Sequence, residues 1–244
     1  MRFPRIGDHP VTKSAVSLIG LMRKDRVTMA TGAVLFGVVS CFIGIYAIAL
    51  AVRVGPDTGF AATLVFEIGL TRDSSLSESL NHGVAFLAAL IFFMGFVEHH
   101  LRSQLWLSAL MVFVWFDDSW SYHERVGSWL VKSYDLPAIG GLRQQDSGEV
   151  AAWSIAALAL FVLLLFSIRS RRDIVIVVVT LLAFMSLLFF GVAIDLVEIL
   201  LPKRYRNAVG VVEDGGEMLS TVLIATCAVG IMRNADELPA TGSP

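Results

Sequence analysis

Between Arg26 and Arg53 the chain reads VTMATGAVLFGVVSCFIGIYAIALAV, residues 27–52, with no charged residue. Such a run exceeds the ~20 apolar residues that carry a helix through the hydrocarbon of a bilayer. At that depth no water is present to bond the backbone, so the run satisfies itself as a helix and the bilayer is its solvent. The basic residues before it and Ala47-Ile48-Ala49 near its end are features it shares with a secretory leader. Its apolar core is longer than the ~7–15 residues of a leader, so it is expected to persist as the first span.

The rest of the chain follows the same pattern. Of 244 residues, 56% are hydrophobic and 16% charged, and the mean hydropathy is +0.72; soluble domains hold roughly 45–50% and about 25%. Further apolar runs occupy residues 83–97, 103–116, 150–168, 174–194 and 218–232. The expected fold is all-α, a polytopic transmembrane helix bundle of about six spans over residues 27–232, followed by a polar tail at 233–244. Upstream, Val11, Ala15, Leu18, Ile19 and Met22 recur at helical spacing, with Lys13, Ser17 and Lys24 elsewhere on the turn. Residues 1–26 are therefore expected to hold an amphipathic helix lying on the membrane surface. A net charge of −2, with basic residues confined to helix ends, argues against a nucleic-acid partner. Cys41 and Cys227 both fall inside apolar runs and read as buried thiols.

Several runs are too short to cross alone and must draw in flanking polar residues. Glu98, Arg102, Asp173 and Arg233 fence them on one side. Counting about 20 residues from each fence brings Glu78 and His82, Asp117 to Glu124, Asp195 and Glu198, and Glu213 to Glu217 to the far ends. With six alternating spans these far ends share one face of the membrane. Of the 19 Lys and Arg, 11 then sort with the N-terminus and 8 opposite. The positive-inside rule places both termini in the cytoplasm and the acidic ends outside.

The densest constellation is Asp117-Asp118-Ser119-Trp120-Ser121-Tyr122-His123-Glu124-Arg125. At 100° per residue Asp117, Ser121 and Glu124 share a helix face, and His123 turns toward a neighbour. Asp195 with Glu198, and Glu213 with Glu217, likewise project from single faces. Carboxylates and an imidazole drawn from several helices form the donor set of di-metal bundles; crowded in low dielectric, they also hold protons. The candidate metal ligands are Asp117, His123, Glu124, Asp195 and Glu217, with Asp118, Glu198, Glu213 and Glu78 beside them, and oxygen-rich ligation favours Mn, Fe or Zn. The plainer reading is helix capping. Glu213, Asp214 and Glu217 look placed to open a helix, Ser75 with Glu78 fits a capping box, and Asp146 fits the start of another helix. Asp117, Asp118, Asp195 and Glu198 sit at C-terminal helix ends, where the dipole disfavours them. Arg125, Lys203, Arg204 and Arg206 are the cations expected to compensate them. Trp106, Trp115, Trp120 and Trp153 read as interface anchors. Glu98-His99-His100 reads as a pH-sensitive or lipid-facing surface.

The Asp117-Asp118-x4-His123-Glu124-Arg125 string, after the Asp73-to-Glu78 approach, resembles a group of bacterial multi-pass membrane proteins carrying an Asp-[Asp/Glu]-x4-His-Glu element. The resemblance implies a bacterial inner-membrane protein and supplies no reaction. The histidine boxes of membrane desaturases and the histidines of alkaline ceramidases have no counterpart here.

Three functions compete. In the first, the outer carboxylate and histidine cluster holds a divalent metal, catalytic or structural. In the second, the chain is a non-enzymatic accessory subunit, packed among lipids and other membrane subunits, whose polar cluster braces the bundle. In the third it is a proton- or cation-coupled transporter, disfavoured because no span carries a central charge. The loop over residues 125–148 is expected to form a short interfacial helix followed by a turn, because Trp129, Leu130 and Val131 are too apolar for a free loop.

Overall fold

The computed structural model describes residues 10–52, 59, 63, 66–70, 75–138, 143–194, 197 and 201–238, and for Lys203 the backbone only. Helix α1 (Pro10–Lys24) begins with proline, whose missing N–H costs nothing in a first turn. Asp25 then breaks the chain: its backbone is extended and its carboxylate accepts the Thr28 N–H at 3.1 Å, starting α2 (Arg26–Ala51). Ser75 does the same for α3 (Leu76–His99), accepting the Glu78 N–H at 3.2 Å. Left-handed His100 (φ 54°) ends α3 and turns the chain into α4 (Arg102–Trp120); left-handed Ser121 (φ 49°) ends α4 and opens α5 (Tyr122–Tyr134). Next come α6 (Gln144–Ser167) and α7 (Arg171–Leu188), which widens into a π-helical segment (Phe189–Ile194). The last elements are α8 (Lys203–Asn234) and a 3-10 turn (Ala235–Glu237). Among the described residues there is no strand.

Helix α8 is the axis. Its apolar window is 72% buried, against 11–39% for the other long apolar helices, and it packs on α2, α3 and α7. Small residues allow the close approaches, as expected where lipid supplies no hydrophobic drive between helices. A Cβ on Gly32 of α2 would lie 2.8 Å from Thr226 Cγ2, and one on Gly215 3.2 Å from Ile43 Cδ1. Buried hydroxyls in this apolar medium bond to their own helix: Ser220 Oγ donates to Gly216 O at 2.8 Å and Thr221 Oγ1 to Glu217 O at 2.9 Å. Helices α3 and α4 pair antiparallel, and Gly95 lies against the Gln104 carboxamide. Trp106, expected as an interface anchor, is buried instead and donates its indole N–H to Leu160 O of α6 at 2.8 Å.

Five helices are long and apolar enough to cross a membrane: Arg26–Ala51, Leu76–His99, Gln144–Ser167, Arg171–Ile194 and Arg204–Glu237. The sixth expected span, α4, is outside this set because Arg102, Gln104, Asp117 and Asp118 lower its hydropathy. Two of these four are hidden by neighbours, Gln104 being fully buried and Asp117 4% exposed, while Arg102 and Asp118 at the helix ends are exposed. Helix α8 also differs from expectation. It starts at Lys203, so Glu213, Asp214 and Glu217 lie inside it and open nothing. Helix α1 buries Ala15, Leu18 and Met22 against α7 and α8, leaving Val16 and Ile19 exposed. Between α2, α8 and the π segment an apolar cleft of about 530 Å³ is lined by Met29, Phe36, Phe190 and Leu223.

Candidate functional site

The last turn of α4 carries Asp117 and Asp118, about 100° apart on the helix. Each meets a histidine. Asp117 is buried, and its carboxylate accepts the His123 backbone N–H at 3.0 Å and lies 3.0 and 3.1 Å from His123 Nδ1. Asp118 Oδ2 lies 3.0 Å from His82 Nε2 of α3, at ion-pair distance without the alignment of a hydrogen bond, and Glu78 is 3.8 Å from the same nitrogen.

The pairing of Asp117 resolves what looked like a misplaced charge. It belongs to the C-terminal turn of α4, yet only Ser121 separates α4 from α5, and the Ser121 side chain makes no capping bond. The carboxylate therefore serves the positive N-terminus of the next helix, where an anion is favoured. Capping does explain Asp117, through α5. The ring of His123 sits 6.2 Å from that of Trp153 on α6. Burial works against a charged ring there. The hydrogen bond and charge of Asp117, with the charges of Glu149 and Glu124, outweigh it and raise the His123 pKa above the ordinary histidine value.

Two of the expected cations lie over aromatic rings. Arg125 stacks over Trp120 at 5.1 Å and Arg204 over Tyr205 at 4.6 Å. The positive partners beside Asp117 and Asp118 are imidazoles. Of the candidate ligands, Asp117 and His123 are brought together, with Glu124 next in sequence; Asp118 and Glu78 join His82. Glu217 lies on α8 against Gly191 of the π segment, and Glu213 one turn before it on the same helix. Asp195 and Glu198 lie outside the described residues. Among the described residues no three His, Cys, Asp or Glu side chains gather where they could hold a metal ion.

The opposite end carries polar nodes whose geometry spacing did not reveal. Asp173, 2% exposed, accepts the N–H groups of Arg169 at 3.2 Å and Ser170 at 2.9 Å while reaching across to the Ser103 N–H at 3.2 Å. One carboxylate thus caps α7 and the start of α4. Asp25 bonds Arg233 Nε at 2.7 Å besides capping α2, and both the guanidinium and Thr28 hold its carboxyl well below the usual range. His99 sits between Met232 O (2.7 Å) and Asp236 (3.2 Å). Its expected surface role gives way to a tie between α3 and the end of α8. The sequence signal for Asp173 was the Ser170-x-x-Asp173 spacing of a capping box.

One protein family, described as a domain of unknown function (DUF8692), matches residues 68–231. No curated protein and no solved structure matches the chain.

Proposed function

The chain belongs to the DUF8692 family, whose function is unknown, so its role has to be read from its own residues; we propose that it is a six-span, non-enzymatic membrane protein whose acidic end is fastened by protonatable histidine–aspartate pairs. The observation that carries this is Asp117 receiving both the ring and the backbone N–H of His123, which joins α4 to α5 through one titratable contact. His82 with Asp118 repeats the device between α3 and α4. In each pair the imidazole supplies the positive partner that crowded carboxylates need in a medium of low dielectric.

A sixth crossing, by α4, is supported by parity. The Asp25–Arg233 bond keeps the start of α2 and the end of α8 on one side, which requires an even number of spans. Positive-inside logic makes that side cytoplasmic, and the resemblance of the Asp117-to-Arg125 string favours a bacterial inner membrane. Four of the five long apolar helices keep charges away from their middles, which favours a brace over an ion pathway along them; α8 is the exception, with Glu213, Asp214 and Glu217 inside it. The exposed apolar faces of α2 and α6 are open to lipid or to another membrane subunit.

The test combines metal analysis with thermal unfolding of the purified protein. A metal-free preparation whose stability follows pH, and loses that dependence in His123→Ala, is the expected result. Stoichiometric Mn, Fe or Zn that leaves on the same substitution would replace the brace with a metal centre.

A further inference from the structure

The two ends of the bundle differ in charge. Around the end where α1, α4 and α7 begin, the described Lys and Arg are Lys13, Arg23, Lys24, Arg26, Arg102, Arg169, Arg171, Arg172 and Arg233. The acids there are fewer. Asp25 is bonded to Arg233, Asp236 faces His99, and buried Asp173 is surrounded by backbone N–H groups and the Ser170 hydroxyl. Glu98 and Glu237 complete the set.

The link between α6 and α7 concentrates the excess. Arg171 donates to a neutral hydroxyl, Ser14 Oγ of α1, at 3.3 Å, and Arg172 to a carbonyl, Asp236 O, at 3.4 Å. Nε of both is buried without a hydrogen-bond partner. Arg169 is exposed, and no ion pair to any of the three exists among the described residues. Three guanidiniums thus stand within four residues, none facing a carboxylate other than the buried, already satisfied Asp173.

Helix α1 fixes the depth of this surface. Its buried stripe packs on α7 and α8. The exposed Ile19 points about 120–160°, and Val16 about 60–100°, from the stripe that holds Lys13, Ser17 and Lys24, by the 100° turn per residue. A helix with one side on protein, one apolar edge and one basic edge is suited to the boundary between acyl chains and headgroups. We propose that this end of the bundle is a docking surface for anionic phospholipid headgroups, with Arg169, Arg171 and Arg172 as its phosphate-facing charges. Guanidinium forks match phosphate oxygens in pairs, and basic clusters at the ends of spans attract anionic lipid.

The test uses full-length protein purified in neutral detergent and offered phosphatidylglycerol or phosphatidylcholine, with retained lipid counted by native mass spectrometry. The protein should keep phosphatidylglycerol in preference, less so as salt rises. Replacing Arg169, Arg171 and Arg172 together by Gln, which keeps a donor for Ser14, should lower that preference about fivefold per charge removed; replacing them by Lys should largely preserve it. Should the Gln triple not fold, the exposed pair Arg23→Gln and Lys24→Gln reads the same electrostatics, with a smaller loss. Equal retention of both lipids by the parent protein, or an undiminished preference in the neutralised variant that folds, would overturn the proposal. His123→Ala keeps the lipid preference whatever becomes of the brace.

Discussion

At the scale of single residues the site is decided by which neighbour a side chain finds. Asp117→Ala removes the acceptor of the His123 backbone N–H and of the ring together, and is expected to cost about 1–3 kcal/mol, the range for stranding buried hydrogen-bonding groups; thermal unfolding measures it. The pH dependence has a definite sign. The folded His123 pKa lies above the ordinary 6.5, so the charged pair contributes its full stability below 6.5 and loses it as pH rises through the raised value. His123→Ala should remove that step from the unfolding profile. Gly95 makes a second residue-scale case. A methyl there meets the carboxamide of fully buried Gln104, so Gly95→Ala is expected to destabilise by about 1–3 kcal/mol through overpacking, and Gln104→Ala in the same chain should recover part of it.

At the scale of elements, helix ends are coupled in pairs. Asp173 serves α7 and α4 at once, so Asp173→Ala should destabilise more than Ser170→Ala, by about a further 1 kcal/mol, the usual worth of one cap. Comparison of the two unfolding midpoints decides it. Helices α5 and α6 are joined through glycine: a Cβ on Gly127 would meet the Glu149 backbone nitrogen at 2.6 Å, and backbone cannot swing aside as a side chain does. Gly127→Val should pry α5 from α6, read as faster proteolysis near Trp129 with the remaining bundle intact. The sequence predicts a short helix here from the apolar Trp129, Leu130 and Val131. It carried no sign that Gly127 and Gly148 would be its contact.

At the scale of the whole molecule, the proposed even number of crossings makes a topological prediction. A cysteine placed at Asp236 and one placed at Lys24 should share their reactivity toward an impermeant thiol reagent in intact cells, and one at Asp135 should show the opposite. Matching reactivity at Lys24 and Asp135, with Asp236 opposite to both, would mean that α4 does not cross.

The sequence by itself determined the solvent and the class of fold, because burying a charge in hydrocarbon is costly enough to be written as long uncharged runs such as residues 27–52. It also marked the helix start at Ser75, where capping is a local interaction between residues three apart. Only the tertiary structure decided where α8 begins, why the polar α4 is tolerated in the bundle, and who partners the acids. Helix α4 lacks the hydropathy of a span, and the bundle tolerates it because neighbouring helices shield Gln104 and Asp117. The meeting of Asp118 with His82 joins residues distant along the chain, and Asp117 is explained only once Ser121 turns left-handed and sets the N-terminus of α5 against its carboxylate. Local spacing cannot encode such contacts, since they depend on how whole helices pack.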